Sequence, residues 1–98
     1  MFARTSTWTG TPEALDKWVA GATSVRQFVT GLDGNAGASF LVDRAGGRAL
    51  TLTLWNTEAA AVASDAFADQ SRARTMAATG VELLERGQYE VVDGPRPT

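Results

Sequence analysis

The sequence predicts an α+β fold of the ferredoxin-like kind, βαββαβ, with a four-stranded antiparallel sheet and the helices on one of its faces. Three observations predict it. Two long stretches, one opening at Thr11-Pro12 and one over 58–79, repeat apolar residues at helical spacings of three and four. Two segments in the middle, 38–44 and 48–55, read as strands and are joined by Ala45-Gly46-Gly47. Strand-like segments also stand at both ends of the chain, 2–9 and 81–93.

FARTSTWT (2–9) is short, β-branched and aromatic, as a strand should be, and Gly10 breaks it. Thr11-Pro12-Glu13 then opens a helix with a capping hydroxyl, a proline in the first turn and an acid beside it. Leu15, Trp18, Val19, Ala22, Val25 and Val29 form its apolar stripe. Gly21 weakens the middle by roughly 1 kcal/mol relative to alanine. GLDGNAG (31–37) ends it, with glycines suited to left-handed caps and turns.

ASFLVDR (38–44) and RALTLTLW (48–55) form the hairpin. Leucine alternates with threonine in the second strand, and Trp55 falls on the threonine side. The run 58–79 is helical, capped by Asn56 or Thr57 and closed by Gly80, with a break expected at Ser64-Asp65. VELLERGQYEVVD (81–93) is the last strand, with an interruption at Gly87 that reads as a bulge. Residues 1–93 are thus read as one domain, and GPRPT (94–98) as a C-terminal tail.

Composition narrows the chemistry. The chain of 98 residues has no cysteine and no histidine. Disulfides, thiolate ligands, the commonest metal ligand and the usual near-neutral base are therefore missing. Nine basic residues against eleven acidic ones do not attract nucleic acid or anionic lipid. The central strand offers leucine and threonine rather than the stacking aromatics of RNA-recognition domains. MFARTSTWTG has no basic patch followed by an apolar run, so the expected location is cytoplasmic. Hard-cation sites need clustered carboxylates; Asp65 and Asp69 stand four apart on a helix with no third ligand evident, so no metal is expected. No GxGxxG follows a strand as in dinucleotide-binding folds, and no cofactor is expected.

Both faces of the sheet carry apolar groups. Leu50, Leu52 and Leu54 lie on one face of their strand, and Trp55 with the methyls of Thr51 and Thr53 on the other. The simplest cover for the second face is the same sheet of another copy, giving a homodimer with the three leucines at its interface. The alternative is a monomer with a few exposed apolar residues.

TGTPEALDKW after the first strand, FLVDRAGGRALTLTLWNTEAAAVAS across the hairpin, and the closing YEVV resemble the antibiotic biosynthesis monooxygenase (ABM)-like family. The resemblance implies a dimeric α+β barrel with a cavity between the helices and one sheet face of each protomer. It implies no cofactor for those members that oxidise polycyclic phenols. Trp55 matches a tryptophan that lines the pocket in several members. Thr51 stands where the cofactor-independent oxygenases carry an asparagine. Ala3 stands where the haem-degrading members carry one, and their helical histidine has no counterpart here, so haem degradation of that type is not implied.

The expected pocket is lined by Trp55, Thr53, Thr51 and Phe67, with Arg72 or Arg74 near its mouth to meet an anionic oxygen. Tyr89 is a further candidate, as an orienting phenol. Each has a plainer reading: Trp55 as core, Arg72 paired with Asp69 on the surface, Tyr89 at a strand rim. Trp18 is read as core, and Trp8 as lying at the dimer edge. No catalytic residue is singled out. The functions open at this point are a cofactor-independent monooxygenase, a non-catalytic dimer binding a small apolar or aromatic molecule, and an interaction module.

Overall fold

The computed structural model describes residues 1–94, and the tail from 95 onward lies outside them. The elements run β1 (Phe2–Thr9), α1 (Pro12–Thr30), β2 (Asn35–Asp43), β3 (Arg48–Trp55), α2 (Glu58–Ala63), α3 (Asp65–Thr79) and β4 (Glu82–Glu90). The strands form one antiparallel sheet in the order β2-β3-β1-β4. This is the ferredoxin-like arrangement, with all three helices on one sheet face.

Local chemistry sets most boundaries. The Thr11 hydroxyl accepts from Ala14 N at 3.1 Å and caps α1. Thr57, not Asn56, caps α2 by accepting from Ala60 N. The helical run breaks at Ser64, whose hydroxyl caps nothing at α3 but donates to the Ala61 carbonyl at 2.7 Å. Gly80 closes α3 with φ +85°, a conformation open to glycine without steric cost.

Two boundaries differ from the sequence reading. Gly31 ends α1 in a right-handed conformation, and β2 starts three residues early, at Asn35 rather than Ala38. Asn35 makes this possible by accepting from Gly37 N through its side chain at 2.8 Å, which carries the chain past an unpaired Ala36. The bulge of β4 is at Leu84 rather than Gly87. Thr7 pairs with Glu85 and Trp8 with Leu83, whereas Gly87 sits in regular register opposite Thr5.

The main core lies where β1 runs into α1: Trp8, Ala14, Leu15, Trp18, Ala49 and Val81, with Phe40 and Leu83 packed on it. Trp8 is therefore an interior residue, 2% exposed, and not the edge residue expected from its place at a strand end. Leu50, Leu52 and Leu54 are partly exposed on the face turned away from the helices. Leu41 pairs with Leu50 on that face and is about half-exposed.

Candidate functional site

Beside the core, α1, α3 and the sheet line a cavity of ≈ 240 Å³. Its floor follows from strand periodicity. Arg4, Ser6 and Trp8 alternate onto one face of β1, and Thr51, Thr53 and Trp55 onto the same face of β3, since Ser6 pairs with Thr51 and Phe2 with Trp55. Phe40 joins them from β2. Trp18, Gly21, Ala22, Val25, Phe28 and Val29 of α1 form one wall. Phe67, Ala68, Ser71, Arg72, Arg74 and Thr75 of α3 form the other. Small residues on α3 leave the space that large ones would fill.

Two indoles are fixed on the floor. Trp8 Nε1 donates to Thr51 Oγ1 at 3.2 Å, and Trp55 Nε1 donates to Thr53 Oγ1 at 3.0 Å. Trp55 is buried, 2% exposed, yet stands outside the main core cluster and against the cavity. On the outer side Phe28 and Phe67, both about half-exposed, meet edge-on with centroids 6.2 Å apart, joining α1 to α3 at the rim.

The charged lining consists of Arg4, Arg72 and Arg74, with no aspartate or glutamate. The Arg4 fork donates to the Ala61 carbonyl at 2.9 Å and to Ser64 Oγ at 3.0 Å, and pairs with Asp65. Arg72 is buried, 8% exposed, and pairs with Asp69, which also meets Arg86 at 3.3 Å. Both aspartates are more than half-exposed and lie outside the lining, so the positive ends face inward while their partners face water. Arg74 has no ion-pair partner among the described residues.

The structure brings Trp55, Thr53, Thr51, Phe67, Arg72 and Arg74 to one cavity. Tyr89 is not among them. It pairs with Ala3 on the opposite sheet face, with its ring over Gly87, and is about half-exposed. The sequence reading missed Arg4, Ser6 and Trp8 on β1 and Gly21 and Phe28 on α1. The alternation of Arg4, Ser6 and Trp8 was available as a signal, but an arginine and a serine mask it as an inward face. Among the described residues no group of carboxylates is placed to hold a metal ion, and no helix is long and apolar enough to cross a membrane.

The strand order and the single helical layer define a ferredoxin-like α+β fold with a cavity between its layers. Three solved structures share the architecture. A candidate antibiotic biosynthesis monooxygenase from Deinococcus radiodurans matches with a TM-score of 0.77 at 17% identity, over 100% of this chain and 99% of that one. The ActVA-Orf6 monooxygenase of Streptomyces coelicolor, solved with the ligand nanaomycin D, matches with a TM-score of 0.70 at 15% identity, over 99% and 92%. SnoaB, a cofactor-independent oxygenase from Streptomyces nogalater, solved as an asparagine-to-alanine variant, matches with a TM-score of 0.62 at 16% identity, over 95% and 92%. No protein-family model and no curated protein sequence matches the chain. At these identities the likeness is one of fold: the chain resembles ABM-like proteins in architecture along nearly its whole length.

Proposed function

We propose that the protein is a cofactor-independent monooxygenase of the ABM type, acting on a small aromatic or polycyclic phenol bound between the helices and the Thr51–Thr53–Trp55 face. The cavity carries the reading: it is open, mainly apolar and walled by aromatic rings, with its charged groups all cationic. An apolar cavity of ~150 Å³ admits one benzene ring. The larger space here suits a second fused ring.

An electron-rich phenol is its own reductant for oxygen. A ring C–H para to the hydroxyl becomes a carbonyl carbon, and the hydroxyl becomes the second carbonyl. One oxygen atom enters the ring and the other leaves as water, taking the ring hydrogen and the hydroxyl proton. The ring supplies all four electrons. The apolar walls exclude water, and the threonine hydroxyls, with Arg72 and Arg74, stabilise the phenolate or peroxide anion formed on the way.

The working unit in this proposal is a homodimer of single domains (1–93), each tailed by 94–98, packed through the open sheet faces carrying Leu50, Leu52 and Leu54. The partly exposed leucines on the sheet face away from the helices support it. A second reading, non-catalytic binding of a small aromatic molecule, is favoured by one observation: neither a carboxylate nor an imidazole lines the cavity to move a proton.

Oxygen uptake separates the two. With chelator present and flavin absent, a panel of hydroxylated naphthalenes and anthracenes is expected to consume one oxygen molecule per phenol and yield the quinone. Binding without uptake across the panel overturns the monooxygenase and leaves the binder.

A further inference from the structure

The hydrogen bonds on the cavity floor have a direction. Thr51 Oγ1 and Thr53 Oγ1 each accept from an indole N–H, and neither hydroxyl donates to a protein acceptor among the described residues. A threonine hydroxyl has one proton to give. Accepting a hydrogen bond polarises it and makes it the better donor. Both residues line the cavity, so both protons are available to whatever occupies it. They stand two residues apart on one strand face, about 7 Å along the sheet.

The charged groups of the lining have the same sense. Arg72 uses Nη2 on Asp69, and the rest of its fork has no protein acceptor among the described residues. Arg74 adds a second cation, and no carboxylate faces either from across the cavity. A ligand matched to this lining brings acceptors and negative charge.

We infer that Thr51 and Thr53, each held as a donor by the indole of Trp8 or Trp55, form a strip that binds two acceptor oxygens of a fused-ring ligand. The cavity thereby selects the carbonyl or ionised form, a quinone or hydroxyquinone anion, over the neutral diol. The inference rests on the reading of the cavity as the ligand site. Trp8 and Trp55 act here as positioning residues, since their own N–H groups are already engaged.

The test is calorimetric titration of the full chain with three probes sharing a two-ring body. They are 2-hydroxy-1,4-naphthoquinone, 1,4-dihydroxynaphthalene under argon, and naphthalene. The hydroxyquinone is expected to bind roughly tenfold more tightly than the diol, as charge-assisted hydrogen bonds are stronger than neutral ones. Thr51→Val and Thr53→Val should each lower the ratio of hydroxyquinone to naphthalene affinity, and Thr51→Ser should restore it. Trp8→Phe should lower the same ratio by freeing Thr51 to rotate. Because Trp8 is in the core, the Thr53 arm stands alone if that variant fails to fold. Equal affinity for quinone and diol, or a ratio unmoved by both valine variants, overturns the inference while leaving ring binding intact. If no probe binds, the cavity is not the ligand site and both readings fall.

Discussion

Arg4 holds the helical layer to the sheet. Its side chain is 11% exposed and bonds to the Ala61 carbonyl, Ser64 Oγ and Asp65, the residues at the break between α2 and α3. Removing it takes the donor from Ser64 Oγ and leaves the Ala61 carbonyl with the Ser64 hydroxyl alone. Asp65 is half in water and is resolvated, so the loss is smaller than for a fully buried pair. Arg4→Ala should cost about 1–3 kcal/mol in urea unfolding. Arg4→Lys should recover only part of this, since an ammonium keeps the charge beside Asp65 but cannot reproduce the fork. An unchanged midpoint for Arg4→Ala would show that α2 and α3 are held by packing alone.

Two glycines of opposite consequence show how α1 and the loop after it are built. Gly21 is inside α1, and a methyl group there meets nothing within 4 Å. Gly21→Ala should stabilise the protein by about 0.5–1 kcal/mol through helix propensity. Gly34 has φ +78°, and an added Cβ falls 2.5 Å from Ala60 Cβ, so Gly34→Ala should destabilise it instead. Urea midpoints moving in the same direction would contradict the local geometry. The same scale explains what the sequence could show. Caps at Thr11 and Thr57, the break at Ser64 and the shared face of Thr51, Thr53 and Trp55 are local, encoded within a few residues. The side of Tyr89 is not local. Counting by twos from Leu83, which faces the helices, places Glu85, Gly87 and Tyr89 there too. The extra residue at Leu84 shifts the phase by one and sends all three to the far face. That bulge arises from how β4 pairs with β1, a partner more than seventy residues away in the chain, and nothing within 81–93 marks it. The inward position of Trp8 was hidden for a related reason: its neighbours on that face, Arg4 and Ser6, are polar, and their partners come from α2, α3 and β3.

At the scale of the molecule, the open sheet face is the basis for expecting a dimer. Leu50, Leu52 and Leu54, with Leu41 beside them, form an apolar band that a second copy would cover. The protein is expected to sediment as a dimer at micromolar concentration. Leu52→Arg should dissociate or unfold it, because a charge left unpaired in such an interface is costly. Leu41→Lys, at a half-exposed position, should weaken association without disturbing the fold. A monomeric wild-type protein would refute the arrangement. The cavity has a different consequence at this scale. Space left inside a 98-residue chain is contact energy that folding forgoes, in a molecule already short of interior. A ligand that fills it binds the native state alone and adds about 2.7 kcal/mol when present at a hundred times its dissociation constant. Resistance to heat and to proteolysis then rises with ligand supply, and in a cell the standing amount of the protein would track the compound it binds.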